Sequence, residues 1–516
     1  MNNASRALVH YAHTAAHYTD GAIHAFRLIP GSEMIVRYIR SSYQNDPVRS
    51  VIELALAVFV LVYVAKSRFS TERSRVVLSD DEVDELVAEW VPEPLVARET
   101  EKERVENEKR PVIVGQSGPK SKLSNGRVVT NLASANYYNF IANEALKERA
   151  IATLRKYGVG PCGPPNFYGT QDVHMHTEAD IVSHLGVQAC IVYAQAFSTI
   201  TSVIPAFSKR GDIIVADRAS NYSIRKGIQL SRSTVYWYNH NDMEDLERTL
   251  QNVVKIYAKK PLTRRFIVAE GLSENVGDMT DLPKIVQLKQ KYKFRLILDE
   301  TWSYGVLGAT GRGITEYQHV DPGQVDMLIG SLAGPLAASG GFCAGSKEVV
   351  EHQRIASAAY TFSAALPAIS ATQASETVRI LSDSPELIIQ LKENIKTMRA
   401  QLDPRSQYVR CTSAPENPMM LLVFKNEVLE TRKLSDEEQE MLMQDIIEES
   451  MTNGVFITRV KPLPETINAS AKEQSQSWQP QPALKVCMTT ALSKKDIEKA
   501  GTTIRHAITK IMTRKQ

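Results

Sequence analysis

Two neighbouring stretches carry residues of the types that do chemistry. Arg295-Leu-Ile-Leu-Asp299-Glu300 is an apolar run ending in acids, the pattern of a strand that delivers a carboxylate to the end of a sheet. A strand-end aspartate is also common with no chemical role. Downstream, Gly305-Val-Leu-Gly-Ala-Thr-Gly-Arg-Gly313 packs four glycines into nine residues. It lacks the Gly-Lys-Ser/Thr of a phosphate loop and does not open a helix directly after a strand. Neither stretch identifies a ligand alone. The five cysteines, Cys162, Cys190, Cys343, Cys411 and Cys487, are scattered, with no CxxC pair. They read as reduced thiols in a cytosol-facing domain and predict neither a metal site nor a disulfide framework.

The elements that must position these residues follow from the hydrophobic pattern. Short apolar runs at 189–193, 212–217, 234–238, 265–270, 294–299 and 326–332 predict strands, with amphipathic helices such as 242–258 and 282–291 between several of them. Alternation of this kind predicts an α/β fold with a largely parallel sheet, whose ligands sit at the carboxyl ends of the strands. Past Ser382 the texture becomes helical and then mixed, ending in a strand-like 483–488 and a helix at 494–512. The reading is a large domain at 127–385 and a smaller α+β domain at 386–516, with 465–481 as a long loop. Lys+Arg 61 against Asp+Glu 58 gives no reason to expect nucleic acid.

Ahead of these domains, Val51-Ile-Glu-Leu-Ala-Leu-Ala-Val-Phe-Val-Leu-Val-Tyr-Val-Ala65 is apolar except for Glu53, though short of the roughly 20 residues of a typical span. It starts too far from Met1 for a cleaved signal peptide. The charged run behind it cannot cover it as a core helix. A single transmembrane helix at 50–66 is therefore expected, after a lumenal or interfacial segment at 1–49 in which 22–26 and 34–39 are apolar. A charged cytosolic linker and arm follow at 67–126, holding Trp90-Val-Pro-Glu-Pro-Leu95 and a Glu/Lys/Arg-rich run at 98–110 that reads as a solvated linker or short exposed helix. Arg37, Arg40 and Arg49 precede the span, and Lys66, Arg68, Arg73 and Arg75 follow it, a slight excess that favours a cytoplasmic C-terminal side. Asn3-Ala4-Ser5 would then be a lumenal sequon.

Asp299-Glu-Thr-Trp-Ser-Tyr-Gly-Val-Leu-Gly-Ala-Thr-Gly-Arg-Gly313 closely resembles the hallmark stretch of the α-oxoamine synthases. These are fold-type I pyridoxal-phosphate enzymes that condense an amino acid with an acyl-CoA and release carbon dioxide. The segment 157–174 resembles the family's glycine-rich entry loop, 330–341 its cofactor-lysine segment, and 360–367 the strand that follows. The departures carry as much information as the matches. The family's lysine, whose amine forms a Schiff base with the cofactor, falls at Gly334, and no lysine lies between Lys293 and Lys347. The ring-stacking histidine falls at Asn221, a second histidine near the cofactor at Trp302, and the substrate-carboxylate arginine at Lys485, which keeps the charge without the two-pronged geometry. Asp299, the partner of the pyridine nitrogen in the family, remains as a vestige.

The resemblance implies a non-catalytic subunit of a heterodimer, with pyridoxal 5'-phosphate bound covalently by the partner. Acyl-CoA and amino acid are reached through the complex, membrane lipid surrounds the span, and small membrane regulatory subunits are further candidate partners. It places Ser363 against the partner's cofactor phosphate and turns the loop of Cys162, Tyr168, Gly169 and Thr170 toward the partner. Glycines there would let the backbone approach a ligand or the opposite chain closely. An endoplasmic-reticulum membrane, with the globular part in the cytosol, is the implied location. Two alternatives stay open: an active homodimeric synthase using another lysine, and a membrane scaffold with no part in catalysis.

Overall fold

A computed structural model describes residues 31–72, 78–91, 99–462 and 478–514. The Asn3-Ala4-Ser5 sequon, the apolar 22–26, Arg73, Arg75, and most of Trp90–Leu95 and of the 465–481 loop lie outside them. The chain divides into two compact units, Met1–Glu108 and Lys109–Gln516.

In the first unit, the helix Ser32–Asn45 is followed after Asp46 by the helix Pro47–Glu72. Its segment Pro47–Ala65 is 19 residues long and apolar enough to cross a membrane, with none of it buried. Helix geometry makes that about 28 Å, close to a hydrocarbon core. Glu53 does not interrupt it, because Arg49 one turn earlier pairs with it at 2.9 Å. The short helix Asp80–Glu89 starts on a Ser79/Glu82 capping box. The Glu/Lys/Arg-rich run forms the short exposed helix Glu101–Glu108.

The second unit is built on a seven-stranded sheet: β1 (Ala189–Tyr193), β2 (Ile213–Asp217), β3 (Thr234–Tyr238), β4 (Arg265–Glu270), β5 (Arg295–Asp299), β6 (Met327–Ser331) and β7 (Gly341–Gly345). The order is β1-β7-β6-β5-β4-β2-β3. The five strands from β6 to β3 run parallel, and β7 is antiparallel to both neighbours. Alternate residues feed two separate cores. Ile214, Val268, Ile297 and Cys343 pack on one face, and Val215, Ile267, Leu298 and Phe342 on the other. Burial on both faces is why these strands read as unbroken apolar runs.

A second sheet of four antiparallel strands, Val409–Cys411, Met419–Phe424, Leu484–Cys487 and Thr458–Arg459 in that order, is packed by the helices Glu386–Leu402, Asp436–Thr452 and Lys494–Thr513. One expected element takes another form. The segment 360–367 is not a strand: the short helix Ala358–Phe362 ends at Ser363, which opens an extended but unpaired run. The helix lets Tyr360 point inward to Arg354 and Tyr193, contacts a strand at this place would not make.

Candidate functional site

Parallel pairing sets Glu270 beside Asp299 at the carboxyl ends of β4 and β5. Two buried acids side by side need donors, and the chain supplies its own. The side-chain amide of Asn221 donates to Asp299 Oδ2 at 2.9 Å and to Glu270 Oε1 at 3.0 Å. Its backbone N–H donates to Glu270 Oε2 at 3.1 Å. The other Asp299 oxygen accepts from the backbone N–H of Thr301 at 2.9 Å and from its hydroxyl. Asn221 sits there because it is the N-cap of the helix Tyr222–Ser231, its Oδ1 accepting from the Ile224 N–H at 2.9 Å. One residue thus closes a helix and bridges two strand ends.

The electrostatics follow from burial. Glu270 is held well above the usual carboxylate range by burial, then by the negative charges of Asp299 and Glu274. Asp299 is raised by burial, with Thr301 and Asn221 opposing. Glu274 is raised by burial too, against the Lys485 charge and the Trp302 indole. Lys485 lies on the strand Leu484–Cys487, its ammonium 4.8 Å from the centre of the Trp302 ring. The indole N–H leans toward Glu274 without closing a hydrogen bond of full geometry. A lysine stacked on an aromatic face is not posed to grip a substrate carboxylate.

Behind this cluster, His240 donates from Nδ1 to both oxygens of Asp217 at 3.0 Å and from Nε2 to Asp278 at 2.8 Å. Donation from both nitrogens makes it an imidazolium. Burial opposes that charge, but the bonds and charges of Asp217 and Asp278 outweigh it and raise the pKa to about 10. The four-glycine loop serves packing. A Cβ on Gly313 would lie 2.2 Å from Glu300 Oε2, and one on Gly308 2.0 Å from Glu316 Oε2.

Asn221, Asp299, Trp302 and Lys485 are thus brought together in one cluster. Gly334 opens the turn Gly334–Leu336 at φ 59, and a Cβ there would meet only the Ala135 methyl, at 3.8 Å. These residues do not fit pyridoxal phosphate. The position that the resemblance gives to the lysine is Gly334, the one it gives to the stacking histidine is the helix cap Asn221, and Asp299 already accepts hydrogen bonds on both oxygens from its own chain.

Cys162, Tyr168, Gly169, Thr170 and Ser363 form a second cluster. The Ala365 N–H donates to Gly163 O at 2.9 Å, and the Asn166 side chain donates to the Arg354 carbonyl at 2.5 Å, tying the glycine-rich loop to the 354–366 segment. Cys162, Tyr168, Thr170 and Ser363 are exposed. The glycines fold the loop onto itself: a Cβ on Gly169 would stand 2.0 Å from Gly163 O. Gly169→Ala is therefore expected to cost about 3 kcal/mol and to lower the melting temperature, because the obstruction is backbone and cannot rotate away.

Glu270, Glu274, Thr301 and His240 join the site without being among the residues that the sequence singles out. Glu270 had a signal, since two apolar runs each end in an acid and parallel neighbours place such ends together. His240 had none, because its partners come from distant turns.

A model of the aminotransferase class I and II family matches residues 127–504. The chain belongs to this family. Within it, the chain is 35% identical over 526 residues to serine palmitoyltransferase 1 of Saccharomyces cerevisiae, covering 93% of this chain and 92% of that protein. It is 36% identical to serine palmitoyltransferase 1 of Dictyostelium discoideum, covering 86% and 90% of the two chains. To long chain base biosynthesis protein 1 of Arabidopsis thaliana it is 39% identical, covering 73% and 79%. Among solved structures, a serine palmitoyltransferase with a pyridoxal-phosphate internal aldimine superposes with a TM-score of 0.68 at 20% identity, over 84% of this chain and 99% of the other. An 8-amino-7-oxononanoate synthase from Francisella tularensis gives 0.57 at 18%, over 74% and 98%. The family fold is that of the pyridoxal-phosphate transferases, a mixed sheet flanked by helices.

Proposed function

We propose that the chain is the cofactor-lysine-less subunit of a serine palmitoyltransferase, which condenses L-serine with palmitoyl-CoA to 3-ketosphinganine at the head of sphingolipid synthesis. The observation that carries this is the self-satisfied Asp299: its oxygens are taken by Asn221 and Thr301, and the lysine position is Gly334. The relatives' names supply the reaction. Pyridoxal phosphate supplies the electron sink for bond-making at the amino-acid α-carbon when held by the partner subunit.

This chain's part is to complete the partner's site. Ser363, exposed at the end of its short helix, offers a hydroxyl to the partner's cofactor phosphate. The locked loop with Cys162, Tyr168, Gly169 and Thr170 faces the partner. The large domain at 127–385 carries these elements and the smaller one at 386–516 supports them. Pro47–Ala65 anchors the chain in the endoplasmic-reticulum membrane with the globular unit in the cytosol, beside an acyl substrate that partitions into lipid and any small regulatory subunits.

The test is cofactor absorbance and serine-plus-palmitoyl-CoA turnover by the purified chain alone and with its co-purifying partner. Both signals should be absent from the lone chain and present in the pair. Covalent cofactor and turnover in the lone chain would sink the reading in favour of a homodimeric synthase. A partner fully active without this chain would favour the scaffold.

A further inference from the structure

The helices Glu144–Tyr157 and Asp172–Leu185 both pack on the helix Ala368–Asp383, and the three together carry four threonines. Three of these close the bond a helical threonine ordinarily makes, to the carbonyl one turn back. Thr153 donates to Arg149 O at 2.9 Å, Thr177 to Val173 O at 2.8 Å and Thr377 to Gln373 O at 2.9 Å. Thr372 does not. It is 9% exposed, and its hydroxyl has no hydrogen-bond partner among the described residues. A buried hydroxyl left unpaired is costly, so what it faces matters.

Thr372 lines a groove of about 380 Å³ to which all three helices contribute, a size usual for small-molecule sites. Two guanidiniums in it share one acid: Arg149 Nε lies 3.1 Å from one Glu376 oxygen and an Arg379 terminal nitrogen 3.4 Å from the other. Both arginines keep further N–H groups that meet no acceptor among the described residues. Asp180 accepts from the Ser375 hydroxyl on one oxygen and keeps the other open. His176 completes the polar lining.

The two guanidiniums and two carboxylates balance in sign, and that selects the ligand. A lone anion would have to compete with Glu376 for the arginines, and a lone cation would meet both of them. A molecule with an oxyanion and an ammonium a few bonds apart answers both signs, and its oxyanion supplies the acceptor that Thr372 lacks. We propose that this groove binds a small zwitterion of the α-amino-acid or phosphoethanolamine kind, its oxyanion against Thr372 and the open edges of Arg149 and Arg379, its ammonium against Asp180. Occupancy would tighten three helices at once. Asp172–Leu185 begins two residues after Thr170, and Ala368–Asp383 five after Ser363, so the ligand would steady both elements assigned to the partner. That consequence rests on the proposed function; the binding does not.

The test is isothermal titration of the full chain, purified in detergent, with L-serine, phosphoethanolamine, acetate and methylamine. At least one of the two zwitterions should bind, and which one does tells a free amino acid from a phosphorylated amine. Acetate and methylamine each carry half of the charge pair and should bind roughly tenfold more weakly or less. Thr372→Val keeps the shape and removes the hydroxyl. It should weaken the zwitterion roughly tenfold while leaving the melting temperature of the unliganded chain unchanged or higher. A lower melting temperature would show that the hydroxyl is satisfied within the chain, and would overturn the inference. So would acetate binding as tightly as the zwitterions, no binding by either zwitterion, or binding that Thr372→Val leaves intact. No turnover is measured, so none of these outcomes bears on the proposed function.

Discussion

Replacing His240 by alanine destabilises the chain by about 3 kcal/mol or more at neutral pH, because two mostly buried carboxylates lose their shared cation. Asp217 is left facing its strand end and Asp278 its loop, each without the charge that made its burial tolerable. The pH dependence gives the sharper readout. The His240 pKa lies near 10 in the folded chain against 6.5 for an ordinary histidine. A raised cationic pKa contributes its full stability below about pH 6.5, and the contribution is lost as pH rises toward 10. Thermal unfolding of the wild-type complex should therefore show a melting temperature that declines between pH 7 and pH 9. The His240→Ala complex should start lower and lack that component of the slope. Parallel curves for the two proteins would show that the imidazolium is not the group responsible.

Asn221→Leu, which keeps the branched shape but not the polar atoms, is expected to cost about 2–4 kcal/mol. It removes the amide that bridges Asp299 and Glu270 together with the cap of the helix Tyr222–Ser231. Asn221→Asp separates the two roles. An aspartate still caps the helix, but it sets a third carboxylate against two that are already crowded. Because Glu270 and Asp299 both titrate above the usual range, their protonation relieves this variant as the medium is acidified. Melting temperatures at pH 5.5 and pH 8 should show the Asn221→Asp deficit shrinking at the lower value, while the Asn221→Leu deficit changes less. Equal deficits at both values would mean that the carboxylates carry no charge to repel.

The sheet was largely legible because both of its faces are buried, so six strands announce themselves as apolar runs bounded by turns. The seventh, β7, does not announce itself: Gly341-Phe-Cys-Ala-Gly345 begins and ends in glycine, which reads as a turn until its antiparallel neighbours supply the pairing. The span gained its first turn from Pro47, which starts a helix well and is invisible to a hydropathy window opening at Val51. In the site, family spacing pointed to Asn221, Trp302, Gly334 and Lys485 as substitutions, but a missing residue says nothing of what fills its place. The Asn221 bridge depends on β4 and β5 being adjacent and in register, a fact of tertiary pairing. The strand expected at 360–367 rests on the family resemblance alone, whereas Tyr360 and Arg354 hold the residues before Ser363 in a helical turn.

If the chain is the lysine-less subunit proposed above, the Asn221 bridge also makes that loss hard to reverse. A lysine at position 334 would have to adopt φ 59, a backbone region that disfavours it, and Asp299 would still accept its hydrogen bonds from Asn221 and Thr301. Removing Asn221 first would free the acid, but would weaken the helix cap and leave two carboxylates in conflict. Each single step back is harmful before the last one brings any benefit. On the proposed function, the interior would then work as a ratchet: with Asn221 part of the scaffold, no short mutational path leads back to self-sufficiency.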